Sequence, residues 1–261
     1  MRPIAPLFAL LLASCVNPYA RYYQGTPDAR ALSGYLPPDG PLLIYTSSDL
    51  AKDRLEMLRR GYAPIGSASF QIASNGAHDY QIREQATKVG AAAVLVSSKY
   101  SHTVTGAVPF TTPTTSTTYY NGTATAYGSG GVVNAYGSGT ATTYGSTTTM
   151  IPYSVDRSDF GAIFFMKAKL RVGIFLKAID DETRRQIGTN AGARVEAVVQ
   201  GSPAFDADVF AGDILLAVGD EKVVAPQSFS QMLEGHAGQT VVFHFYRDGR
   251  PIDKSIAVRG F

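Results

Sequence analysis

Between Tyr100 and Val155 the chain contains no aspartate, glutamate, lysine or arginine. Thr, Gly, Ser, Ala and Tyr dominate the tract, and it partly repeats itself: Thr123-Ala-Thr-Ala-Tyr127-Gly-Ser returns as Thr140-Ala-Thr-Thr-Tyr144-Gly-Ser. The lack of charge excludes a disordered segment kept soluble by its own repulsion and places the tract nearer the β-associating class. Alternating Thr, Ala and Tyr favours extended backbone, because β-branched and aromatic side chains fit a pleated surface, and the Gly-Ser pairs read as turns. Two readings follow. One is a surface loop without regular structure; the other is a β-hairpin array used for self-association or surface contact.

The segments on either side carry ordinary globular signals. Leu42-Leu43-Ile44-Tyr45 is a short apolar run followed by Thr46 to Asp49, all good helix N-caps. Ala51, Leu55 and Leu58 then recur at helical spacing up to Gly61, and Ile82, Ala86 and Val89 do so up to Gly90. Tyr62 to Phe70, Ala91 to Tyr100 and Gly161 to Met166 read as strands. Strands alternating with helices predict a small α/β domain over 42–169, interrupted by the uncharged insert at about 101–155. The join from Met166 to Arg171 has no Gly, Pro or Ser linker, which predicts two domains packed together.

Composition removes several classes of function. The chain has 261 residues, with Lys+Arg 23 against Asp+Glu 21, so its formal charge of +2 supplies no basic field for nucleic acid. A single cysteine forms no internal disulfide, and no Cys/His cluster offers a zinc site. No metal, cofactor or nucleic-acid partner is expected.

The N-terminus has the layout of a secretory signal: Arg2, then a short apolar run from Ile4 to Leu12, then small residues. That run is too short to cross a hydrocarbon core of about 30 Å. Leu12-Ala13-Ser14-Cys15 resembles the lipobox of bacterial lipoproteins, in which the cysteine is acylated after cleavage. The resemblance implies a signal peptide over 1–14, lipidation of Cys15, a membrane partner through the lipid, and a tether over 15–41. Val16 stands where the family's inner-membrane retention signal would place Asp, so the outer membrane of the envelope is the expected location.

From residue 170 onward the chain alternates strand-like runs with defined turns. Val172-Gly173-Ile174-Phe175, then Gly201-Ser202-Pro203-Ala204, then Ala211-Gly212-Asp213-Ile214-Leu215-Leu216-Ala217-Val218 occur in that order, and Asp248-Gly249 marks a hairpin. Together they resemble a PDZ domain of the kind attached to bacterial HtrA-family proteases. The resemblance covers about a third of the chain. Asp208 departs from it, standing where the family usually has Gly; aspartate can adopt the left-handed conformation there.

The resemblance implies an α+β protein: the small α/β domain followed by a partly open PDZ-like β-barrel with two helices over 170–261. It implies capture of envelope-protein C-termini by strand addition. The peptide carboxylate would meet the amides of Gly173, Ile174 and Phe175 beside Arg171. Leu176, Phe229 and Met232, with Ile174, would enclose the last side chain. Phe261 ends the sequence given as a large apolar residue that could enter its own groove or a neighbour's, giving autoinhibition or self-association.

An HtrA protease also needs a Ser-His-Asp triad on a double-barrel domain, for which residues 16–169 are too few. His78, His102, His236 and His244 are the only histidines, and nothing in the sequence selects one as a base. The chain therefore reads as a non-catalytic, envelope-anchored peptide-binding scaffold. Two alternatives stay open: an accessory subunit that delivers substrates to a separate protease, or a hydrolase with its site in the α/β domain.

Overall fold

The structure, a computed structural model, describes residues 16–261, so the signal segment and Cys15 lie outside the described residues. The chain divides into two compact units. One comprises the chain up to Tyr100 and from Ser158 onward; the other is Ser101–Arg157.

The first sheet of the larger unit holds β1 (Tyr23–Gly25), β2 (Tyr35–Leu36), β3 (Leu43–Thr46), β4 (Tyr62–Ala73), β5 (Ala93–Gly128) and β6 (Gly131–Ala168). Its order is β1-β4-β6-β5-β3, with β2 beside β6 and β3 parallel to β5. Three helices belong to this half of the unit: α1 (Pro18–Arg21), α2 (Leu50–Arg59) and α3 (Asp79–Val89). Asp49 caps α2 by accepting from the amides of Ala51 and Lys52. Gly90 ends α3 in the left-handed conformation, φ +72°. Because strand side chains alternate, Phe164 and Phe165 feed opposite faces of the sheet. Phe164 joins Ile82, Ala86 and Val89 of α3, whereas Phe165 joins Met57 of α2. Ala51, expected on the inner stripe of α2, is exposed, and Met57 with Leu58 is what that helix buries.

The stretch expected as a tether is instead fastened to this sheet. Asn17 caps α1 and donates from its side chain to the Gln81 carbonyl at 2.7 Å, and Tyr19 and Ala29 are buried in the same core as Phe164. Local composition resembled a linker; the contacts that fix the segment are long-range.

The second sheet holds β7 (Ile174–Ala178), β8 (Ala193–Val198), β9 (Ile214–Val218), β10 (Glu221–Lys222), β11 (Thr240–Arg247) and β12 (Arg250–Ala257). Its order is β12-β11-β9-β8-β7, with β10 on β9, and it stays open. Around it lie α4 (Asp181–Ile187), α5 (Pro203–Asp206) and α6 (Phe229–Gly235). Val195, Leu215, Val218, Phe243, Phe245 and Ile256 form the fully buried centre. The two halves of the larger unit meet directly. Arg54 on α2 pairs in bidentate fashion with Glu196 on β8, at 2.8 and 3.2 Å, and the Gln200 amide donates to the Arg59 carbonyl at 3.1 Å.

The smaller unit is a two-stranded ribbon made of the far portions of β5 and β6. Thr103 bonds to Asp156, Thr111 to Thr148, and the Tyr120 ring lies over Gly139. All of these pairs share one register, in which residue i of β5 faces residue 259 − i of β6, up to the turn at Ser129-Gly130. The uncharged tract is thus regular antiparallel structure, and almost every residue of it is exposed.

Candidate functional site: a cavity at the open edge of the second sheet

β7 pairs with β8 on one side only, and its other edge borders a cavity of about 390 Å³ whose far wall is α6. The loop that enters β7 is tightly folded. Gly173 has φ +80°, and a Cβ there would lie 2.1 Å from the Cβ of Ser202. The chain can approach Ser202 so closely only because residue 173 is glycine. Ser202 also caps α5 through the Phe205 amide, while the Val199 amide donates to the Gly173 carbonyl and the Ala204 amide to the Val172 carbonyl. These bonds fix the loop against the start of α5.

Most of the site residues expected from sequence surround this cavity. Arg171, Gly173, Ile174, Phe175, Leu176 and Phe229 all line it. Met232 does not; it is buried in the core of the second sheet, with its sulfur 4.0 Å from the Ser228 hydroxyl. Leu233, one turn beyond Phe229, takes its place in the lining.

Five further lining residues lie outside the set the sequence points to. Lys169 lies at the cavity two residues before Arg171, a spacing visible in the sequence. Leu233 lines the cavity where the sequence points to its neighbour Met232. Ser33, Gly34 and Ala63 supply a wall from the first half of the unit, and Lys169 is held there by its backbone N–H, which donates to the Gly34 carbonyl at 2.8 Å. No local pattern marked those three, because their position depends on how the two sheets pack.

The cavity mouth is cationic and partly covered. Phe261 lines it, with the Lys169 ammonium 4.4 Å and the Arg171 guanidinium carbon 5.6 Å from its ring centroid, within cation–π range. Arg171 also donates to the Arg259 carbonyl at 3.0 Å and accepts from the Arg259 amide. The segment that carries Phe261 is therefore tied to the loop that enters β7.

Three of the four histidines have local partners. His78 precedes α3 and stacks on Tyr80, His102 lies 3.2 Å from the hydroxyl of its neighbour Ser101, and His244 pairs with Asp253 at 2.7 Å between exposed side chains. Among the described residues there is no group of three or more His, Cys, Asp and Glu arranged to hold a metal ion. No described helix is long and apolar enough to cross a membrane.

The PDZ domain family model matches residues 171–258. No curated protein matches the chain. Among solved structures, the HtrA-type protease AlgW with a decapeptide is 20% identical at TM-score 0.30, covering 37% of this chain and 36% of that one. A serine endoprotease from Yersinia pestis is 22% identical at TM-score 0.25, covering 38% of each chain. The HtrA3 PDZ domain bound to a phage-derived ligand is 20% identical at TM-score 0.29, covering 33% of this chain and 81% of that one. The chain thus spans little more than a third of the length of the proteases it resembles. Residues 171–258 form a PDZ domain, and the cavity between β7 and α6 lies at that domain's open strand edge.

Proposed function

We propose that the chain is a non-catalytic peptide-binding scaffold whose PDZ domain captures protein C-termini by adding an extended strand to the free edge of β7. The observation that carries this reading is one juxtaposition: an unpaired strand edge, an apolar cavity and two cations meet at the Arg171–Gly173 loop. Backbone bonds along β7 supply affinity that does not depend on ligand sequence. The carboxylate is received by the amides of Gly173, Ile174 and Phe175, with Lys169 and Arg171 close enough to favour its charge. The last side chain enters between Leu176, Phe229 and Leu233.

The Leu12-Ala13-Ser14-Cys15 sequence supports lipidation at Cys15 and hence attachment to the bacterial envelope, at the outer membrane given Val16. Envelope proteins with apolar C-termini are then the partners. The deciding experiment presents the full chain with a library of C-terminal peptides, each as free acid and as amide. Capture requires the free acid to bind at least tenfold more tightly. A covalent adduct with a serine-directed probe, together with no preference for the acid, would favour a hydrolase instead.

A further inference from the structure

The ribbon of Ser101–Arg157 has two unlike faces. Side chains alternate along each strand, and the register joins odd positions of β5 to even positions of β6 on one face. The strand glycines, among them Gly106, Gly122, Gly137, Gly139 and Gly145, all fall on the opposite face. There Tyr120 lies over Gly139 and Tyr153 over Gly106, which leaves these rings 59% and 45% exposed. The first face has no glycine. It carries Tyr119, Tyr127, Tyr136 and Tyr144, exposed by 79%, 82%, 80% and 80%.

These four tyrosines form a regular ladder. In the shared register Tyr144 stands opposite Thr115, and Tyr136 opposite Thr123. The rings therefore occur at the levels of residues 115, 119, 123 and 127 of β5, alternating between the strands. Four residues of strand separate neighbouring rings by about 13 Å. Each gap between them holds only a pair of Thr, Ser or Asn side chains: Thr117 with Thr142, Asn121 with Ser138, Thr125 with Asn134.

We propose that this face binds a second copy of the chain, the two ribbons packing face to face about a two-fold axis with the tyrosines of each entering the gaps of the other. A half-period offset brings neighbouring rings to about 6–7 Å, inside the 4.5–7 Å range in which aromatic pairs attract. The ladder stretch of this face, 115–127 of β5 with 132–144 of β6, carries no charge, Asp156 lying beyond it opposite Thr103; it meets its own copy without repulsion, whereas a stretch carrying net charge of either sign would resist it. Four tyrosines at roughly 150–250 Å² each bring the covered area to the ~800 Å² per partner of a standard stable interface. A free two-stranded ribbon is marginally stable in water, and burying one face supplies the core that it lacks.

The test is sedimentation equilibrium of the full chain in neutral detergent, which keeps the N-terminal apolar run from driving association. Dimers are expected at micromolar concentration. Tyr119→Thr with Tyr136→Thr retains strand propensity and should weaken dimerisation at least a hundredfold. Tyr120→Thr with Val133→Thr, on the glycine face, should change it less than threefold, and circular dichroism of both pairs should match the parent. Three outcomes would overturn the proposal. One is a chain that stays monomeric; another is a dimer insensitive to the ladder pair, which would point to the open strand edges. The third is a monomer that binds a neutral polysaccharide and loses that binding with the ladder pair, which would give the tyrosines to a glycan.

Discussion

The Phe261 ring lies beneath the Lys169 ammonium, 4.4 Å from its centroid, at the mouth of the cavity bordered by β7. On the proposed reading, a ligand carboxylate arriving at the Arg171–Gly173 loop would have to pass that ring. Phe261→Ala clears the mouth and frees Lys169, so affinity for C-terminal peptides should rise about two- to tenfold, a change on the order of 0.4–1.4 kcal/mol. Calorimetric titration of parent and variant checks this, and unchanged affinity would mean that the tail leaves the groove open.

Asp213 is 2% exposed and binds Arg247 through both carboxylate oxygens, at 2.6 and 2.7 Å, while also accepting from the Phe210 amide. Asp213→Ala leaves the part-buried Arg247 guanidinium without its carboxylate, with only the Asp208 carbonyl remaining, and the Phe210 amide without its acceptor. The cost should be about 3 kcal/mol or more. A urea midpoint that moves by much less would show that the pair is spared by water.

Asp208 has φ +57°, the left-handed region in which a Cβ is unfavourable. Its carbonyl, which any residue supplies, accepts from Arg247 at 2.8 Å. Asp208→Gly should therefore stabilise the PDZ domain by about 0.5–1 kcal/mol, read as a higher urea midpoint. This position was legible in advance, because departure from the family's glycine and the tolerance of aspartate for left-handed backbone pointed to the same turn.

Burial, reinforced by nearby Asp79, pushes the Tyr19 hydroxyl up to about 12. A group that holds its proton more tightly when folded adds stability that is fully present below its unfolded pKa, near 10. That stability is lost as pH rises from 10 towards 12. Tyr19→Phe should reduce the loss of stability across this window, measured by urea unfolding at pH 9, 10 and 11.

What the sequence disclosed was local, and what it withheld depended on long-range contacts. The helix carrying Ile82, Ala86 and Val89, closed by Gly90, needed only its own periodicity and stop signal. Val16 to Pro41 looked like a tether because nothing within it reveals that Asn17 reaches Gln81 or that Tyr19 enters a core completed by Phe160 and Phe164. The alternation of Thr and Tyr gave extended backbone, but the tyrosine ladder exists only once the turn at Ser129-Gly130 sets which residues face each other. At the cavity, the glycine loop and Arg171 were readable from their motif. The choice between Met232 and Leu233 depends on the rotation of α6, which three apolar residues on one short helix do not define.

The most direct measurement is the affinity of the full chain for one library-selected peptide as free acid and as amide, in the parent and in Lys169→Ala. The parent should prefer the acid by at least tenfold, and Lys169→Ala should narrow that preference while leaving the affinity for the amide unchanged. Equal binding of acid and amide by the parent would contradict capture of C-termini at this cavity.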